Sequence, residues 1–201
     1  VVSASPQHGK RAGRRGGYPG RVRIIGGAWR SRRLEVPDSP GLRPTPDRVR
    51  ETLFNWLQPW LPGARCLDVT AGTGILCLEA LSRGAASAVM VENSPVAVRV
   101  LEHNLQKLGA TQGRVIQADA VGFLQGMAEP FDIVFLDPPF KSDLIARCAV
   151  LLEGRGWVKA GGLIYIEAPS EMEVLPIPDS WRVIRSKTAG QVGYHLAKRS
   201  A

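Results

Sequence analysis

The segment FDIVFLDPPF, residues 131–140, ends an apolar run on an acid, two prolines and a flat aromatic ring. Each of those residue types has a chemical use. Consecutive prolines hold the backbone extended and delete two N–H donors, so neighbouring carbonyl oxygens can face a site without being claimed by local structure. Asp137 and the Pro138 carbonyl can then accept the two hydrogens of an aryl amine, with Pro139 keeping the corner rigid. Phe140 offers a face on which a nucleic-acid base can stack, a contact worth roughly 1–3 kcal/mol. An exocyclic base amine is a poor nucleophile because its lone pair is delocalised into the ring. Two fixed acceptors favour the pyramidal nitrogen of a transition state and hold it in line for transfer. Asp137 can also take the departing proton, a role open equally to solvent. The structural alternative is a strand-ending Pro-Pro turn with an Asp cap on the next helix.

Upstream residues weigh against that alternative. LDVTAGTG, residues 67–74, places Asp68 at a strand end and Gly72 and Gly74 in the turn before a helix. Glycines allow close backbone approach, and a helix N-terminus favours a negative group. Dinucleotide folds use G-x-G-x-x-G, but the third position here is Cys77, so the turn alone is compatible with either a nucleotide-type cofactor or a tight structural turn. Glu92 closes the next strand about 20 residues on, where a carboxylate can accept from both ribose hydroxyls. Asp119 follows the third strand, where it can accept from an adenine amino group. Each acid singly reads as a helix cap or surface carboxylate. Three at successive strand ends line the edge where open α/β sheets bind ligands, and together they indicate adenosine.

These residues require a repeating scaffold. Short apolar runs at 65–69, 88–92, 114–118, 132–137, 162–168, 181–186 and 192–198 read as strands, and the first five alternate with helical segments at about 74–83, 95–108, 120–127 and 142–153. That alternation implies right-handed crossovers and a mostly parallel, doubly wound α/β sheet. The link at 187–191 is too short for a crossover, so the last pair is antiparallel.

Before this unit, RIIGGAWRSRRL (23–34) reads as a hairpin turning at Gly26 and Gly27, and the Pro-rich stretch 37–46 as a loop. A helix follows, with Thr45 as N-cap, Pro46 at its first position and Asp47 in its first turn. Val49, Leu53, Trp56, Leu57 and Trp60 recur at helical spacing and form its buried face. The chain divides into a flexible basic tail (1–20), an extension of hairpin, loop and helix (21–62) and a catalytic unit (63–201).

The net charge of +8 is concentrated at the front: residues 1–34 hold nine Lys or Arg and no acid, while the rest is nearly balanced. A cationic segment on a neutral body suits a phosphate-backbone partner, with Arg30, Arg32 and Arg33 of the ribbon as candidate contacts. Cys66, Cys77 and Cys148 are widely spaced and read as reduced core thiols. His8, His103 and His195 show no metal-ligand spacing with them, so no metal is expected. No apolar run approaches the ~20 residues of a membrane span, which points to a cytoplasmic protein without a membrane partner.

With Asp68, Gly72 and Gly74 matching an Asp-x-x-x-Gly-x-Gly turn, the chain resembles the class I methyltransferases. LRPTPDRVRETLFNWL (42–57), LEALSRGA (78–85), AGQVGYHLAKR (189–199), DPPF and the hairpin segment narrow the resemblance to the bacterial 16S rRNA guanine-N2 methyltransferases of the RsmD family, over residues 21–199. The resemblance implies a Rossmann-like fold whose seven-stranded sheet has the order 3-2-1-4-5-7-6, with one antiparallel strand. It implies S-adenosylmethionine as methyl donor, N2-methylguanosine in 16S rRNA as product, and a partly assembled small ribosomal subunit as substrate, acted on by a monomer. Asp68, Gly72, Gly74, Glu92 and Asp119, with the adjacent Asn93 and Ala120, are the implied cofactor contacts. Asp137, Pro138, Pro139 and Phe140 form the implied target-amine site. Arg43, Thr45 and Arg48 match the loop and helix that cover the cofactor and meet RNA. Thr70 and Thr73 depart from the Phe and Ser frequent in relatives, without altering the backbone role of the turn.

Two other functions fit part of the pattern. Adenine-N6 and protein-glutamine methyltransferases share the fold but usually begin the Pro-Pro-aromatic motif with Asn, whereas this chain has Asp137. A non-enzymatic RNA-binding assembly module would keep the fold and bind no cofactor.

Overall fold

The computed structural model describes residues 20–37, 42, 44–140 and 142–200. Arg43 and nearly all of the expected basic tail lie outside these residues. The apolar runs all form strands, and among the described residues five helices separate or precede them. A hairpin of β1 (Arg21–Arg23) and β2 (Arg33–Glu35) leads to α1 (Asp47–Leu57). There follow β3 (Arg65–Asp68), α2 (Ile75–Ser82), β4 (Ser87–Glu92), α3 (Pro95–Leu108), β5 (Gly113–Gln117), α4 (Ala120–Leu124), β6 (Phe131–Leu136), α5 (Leu144–Gly154), β7 (Val158–Pro169), β8 (Trp181–Ala189) and β9 (Val192–Arg199).

The seven-stranded sheet runs β5-β4-β3-β6-β7-β9-β8. Counted from β3, this is the order 3-2-1-4-5-7-6 implied by the resemblance. Only β9 runs against the rest, pairing antiparallel with both β7 and β8. Helices cover both faces, so the central strands are apolar throughout: Ile133, Val134, Phe135 and Leu136 are all fully buried. One core lies under α1 and α2 and takes in Val22, Ile24 and Leu34 of the hairpin; the other lies under α4 and α5. The extension thus shares its apolar core with the sheet. No described helix is long and apolar enough to cross a membrane.

Two local expectations are corrected. The hairpin does not turn tightly at Gly26 and Gly27; its strands flank a loop over 24–32, closed at its base where Ile24 N–H donates to the Arg32 carbonyl (2.9 Å) and Ser31 N–H to that of Ile24 (2.8 Å). The cause lies in α2, whose buried Glu79 accepts the Ile25 and Gly26 N–H groups at 2.8 Å each and removes them from any ladder. Gly27 has φ +77° and sits so close to the Ser82 carbonyl that a Cβ there would approach it to 1.8 Å. The second correction concerns Thr45, which does not cap α1. Pro46 holds the N-cap position without a side-chain bond, and Thr45 is buried with its hydroxyl beside Glu167. Along the helix, Val49, Leu53 and Leu57 are buried as expected, joined by Arg50 and Phe54, while Trp60 lies 44% exposed beyond the helix end.

Candidate active site at the carboxyl edge of the sheet

Each of the five parallel strands β3 to β7 delivers an acid at its C-terminal end: Asp68, Glu92, Asp119, Asp137 and Glu167. Parallel pairing makes this one edge of the sheet, the edge where α/β folds bind ligands. Register then sets the depth of each group. Asp68 pairs with Phe135, two residues before Asp137, and Leu136 pairs with Ile166, so Asp137 and Glu167 follow side by side on neighbouring strands.

Asp68, Asp137 and Glu167 form an acidic floor without a basic partner among the described residues. Burial pushes the Asp68 carboxyl up to about 7, against the one hydrogen bond it accepts, from Thr70 N–H at 3.1 Å; Glu92 and Glu167 add to the rise. Asp137 keeps an opening to solvent, yet desolvation by its surroundings, then the charges of Glu167 and Asp68, hold its carboxyl well above the ordinary range. Glu167 is raised by burial too, opposed by the Tyr165 hydroxyl, which donates to it at 2.7 Å, and by Thr45. Close carboxylates in a dry setting resist joint ionisation. Such a floor favours a cation above it, or a donor N–H group that two acceptors can share.

The glycine turn is held from outside. Glu92 accepts Gly72 N–H through Oε2 and Ser94 N–H through Oε1, both at 2.8 Å, tying the turn to the start of α3. Leu42 lies over Gly72, where a Cβ would meet its Cδ1 at 2.8 Å. The chain preceding α1 therefore roofs the turn. Gly74, the other glycine of the expected cofactor turn, also has a packing role. It is the left-handed N-cap of α2 (φ +70°), and a Cβ there would strike Leu101 at 2.3 Å, so packing demands glycine. Asp119 caps α4, accepting Gly122 N–H at 2.8 Å, and stands exposed with Asn93 nearby in the row of strand ends; Ala120 is buried.

At the proline corner Pro138 is buried while Pro139 and Phe140 are exposed, Phe140 by 39%. Ser142 takes the Pro139 carbonyl through both N–H and hydroxyl. The Pro138 carbonyl and the Asp137 carboxylate accept nothing among the described residues, so both stay available as a pair of acceptors.

A family model described as Conserved hypothetical protein 95 matches residues 22–198. The Ribosomal RNA small subunit methyltransferase D of Escherichia coli (strain K12) is 50% identical over 182 residues, spanning 90% of this chain and 92% of that protein. This chain belongs to the RsmD family. A Haemophilus influenzae member of the same name is 44% identical over 181 residues, spanning 88% and 93% of the two chains. The solved structure of Escherichia coli yhhF, 49% identical, superposes with a TM-score of 0.86 over 90% of this chain and 99% of its own. The likeness to RsmD-family chains thus extends through the N-terminal hairpin as well as the sheet.

Not all the sequence-selected residues come together. Asp68, Glu92, Asp119 and the proline corner share one edge, with Thr45 and Leu42 above it. Arg48 is exposed on the first turn of α1. Arg30 and Arg32 lie elsewhere: the loop that carries them docks on the far ends of α2 and α3, where Ala28 N–H bonds the Ser82 carbonyl (2.7 Å) and Arg32 reaches the Lys107 carbonyl (3.5 Å). Arg33, exposed, pairs with Arg23 in the hairpin. Two further residues matter that the sequence does not single out, Glu167 at this edge and Arg50 in the extension. Glu167 follows the same strand-end rule as the other acids, and its signal is the acid closing GLIYIEA. Arg50 is buried among Glu79, Asp47 and the Thr45 and Arg23 carbonyls; a lone Arg on a helix carries no mark of that role.

Proposed function

We propose that this chain transfers a methyl group from S-adenosylmethionine to the exocyclic N2 of a guanine in 16S rRNA. The observation that carries the reading is the register of β3, β6 and β7, which sets the Asp137–Pro138 acceptors beside the buried Asp68 and Glu167 carboxylates. A floor of acids without a basic partner among the described residues suits the positive charge of a sulfonium donor with its ammonium group. When bound, that donor supplies an electrophilic methyl.

The residues divide the work by position. Gly72 and Gly74, at the α2 N-terminus, would receive the polar tail of the donor along with Asp68. Glu92 and Asn93 hold the ribose, and Asp119 and Ala120 the adenine, while Thr45, Arg43 and Arg48 belong to the covering segment that RNA also meets. Asp137 and the Pro138 carbonyl accept the two amine hydrogens of the guanine, Pro139 fixes the corner and Phe140 stacks on the base. Because the target must leave its stack to reach this corner, it is an exposed or flipped nucleotide. As the amine acquires the methyl group it sheds a proton, and Asp137, whose basicity is raised by its neighbours, is placed to hold it.

In this reading residues 63–201 are the catalytic unit and 21–62 its covering extension. The substrate is a small-subunit particle or assembly intermediate in the cytoplasm, the enzyme acts as a monomer, and no metal takes part. Incubation with labelled methyl donor and undermethylated small subunits, followed by nucleoside analysis and mapping, tests reaction, base and position together. Label in N2-methylguanosine of 16S rRNA is the expected result. Label in N6-methyladenosine or in protein would reassign the acceptor, and absence of label would refute the reading.

A further inference from the structure

Four cations emerge on one face of the β8–β9 hairpin. Arg182 pairs with Lys198, Arg185 with Leu196 and Lys187 with Tyr194. Cross-strand partners share a face. Leu196 and Tyr194 belong to the core beneath α1, where Trp56 stacks on Tyr194 at 5.5 Å, so the cations stand on the α1 side, at the open edge beyond the helix. A bulge between Val183 and Arg185 makes this possible; plain alternation would send Arg185 to the face opposite Arg182.

All four are exposed, and none forms an ion pair among the described residues. Neither β8 nor β9 contains an acid. The other face of the same hairpin is treated differently: there Arg199 is held by both oxygens of Glu153, at 2.7 and 3.0 Å. Charge is neutralised on one face and left unpaired on the other.

The register also fixes where these cations lie relative to the acid floor. Lys187 is opposite Tyr194, Tyr194 is opposite Glu167, and Glu167 neighbours Asp137. Lys187 is thus level with Asp137 three strands away, about 14 Å at the usual interstrand spacing. From there Arg185, then Arg182 and Lys198, continue down the strand for roughly 13 Å more. Arg30 and Arg32, by contrast, sit at the far ends of α2 and α3.

We infer that Arg182, Arg185, Lys187 and Lys198 form a track for the phosphate backbone of the RNA whose base enters the proline corner. The inference rests on the methylation reading for the identity of its ligand. Contacts to phosphates carry no base identity, so the track is sequence-independent.

The test compares the full chain with Arg185→Ala/Lys187→Ala and Arg185→Glu/Lys187→Glu, and with Arg114→Ala, an exposed cation on the opposite sheet edge. Binding to undermethylated small subunits is measured against salt, separately from methyl incorporation. The double alanine variant is expected to bind about tenfold more weakly near physiological salt, with a plot of log affinity against log salt shallower by about 0.7–0.9 per cation lost. The glutamate variant should be weaker still, and Arg114→Ala unchanged. Heats of S-adenosylmethionine binding and the unfolding temperature should match the parent. Unchanged affinity and slope in both double variants would overturn the track. A defect that vanishes on protein-free 16S rRNA would move the contact to an acidic ribosomal protein and overturn it as well. A parent that binds particles but transfers no methyl would instead defeat the methylation reading.

Discussion

Asp68 is nearly inaccessible, accepts one backbone N–H, and faces Glu92 and Glu167 across the strand ends. Its carboxyl, raised to about 7, holds a proton in the folded chain that the unfolded chain has already released above about pH 4. The ligand-free protein therefore loses stability as pH rises from about 4 to 7, the reverse of a salt-bridged carboxylate. If the donor binds against Asp68 as proposed, its positive charge should invert the preference and expel that proton. Calorimetry of S-adenosylmethionine binding at pH 6, in buffers of different ionisation enthalpy, should show proton release, and affinity should increase as pH rises toward 7. Asp68→Asn should bind more weakly and lose both dependences. Buffer-independent heats in the parent would remove Asp68 from the donor site. At the corner, Asp137→Ala removes one of two acceptors and should reduce turnover at least a hundredfold, the scale on which positioned acid–base and oxyanion groups act, with donor affinity retained. Single-turnover methylation measures this directly, and an active variant would exclude Asp137 from the chemistry.

Among the elements, α1 and the hairpin loop are joined to the sheet unit by one buried knot. Glu79 accepts from Ile25, Gly26, Arg50 and Arg83, while Arg50 also binds Asp47 and the Thr45 and Arg23 carbonyls. Breaking a buried pair strands the remaining charge, so Glu79→Ala should lower stability by about 3–5 kcal/mol in urea unfolding. The joint change Glu79→Leu with Arg50→Met should lose less, because neither charge remains unpaired. A loss under about 1 kcal/mol for the single change would show that the knot is solvated. Helix and strand types were legible because periodicity differs between them, and the seven sheet strands fall where apolar runs stand. The hairpin was legible only as a hairpin. Its loop geometry depends on Glu79, more than 50 residues distant, and no local propensity encodes such a partner. Thr45 resembles a cap by position, but the burial of its hydroxyl beside Glu167 arises from tertiary packing.

Across the whole molecule, basic charge falls at both ends of the sequence, around a middle (residues 35–180) in which 18 acidic side chains outnumber 12 basic ones. Lys10, Arg11, Arg14 and Arg15 precede Val22, the first buried core residue described. Removing residues 1–19 should flatten the salt dependence of particle binding and leave the unfolding temperature unchanged. A shift in that temperature would mean the segment packs on the fold. Sequence alone determined the alternating α/β architecture, the strand-end acids Asp68, Glu92 and Asp119, and the Asp-Pro-Pro-Phe corner, because strand ends and paired prolines are local facts that residue order carries. Tertiary structure decided which of those groups share a depth, that Glu167 joins them, that Gly74 packs against Leu101, and that Arg30 and Arg32 stand away from the corner while Lys187 stands level with it and Arg185 follows two residues further down the strand. Register across strands and the docking of one helix on another set those distances, and both depend on residues far apart in the chain.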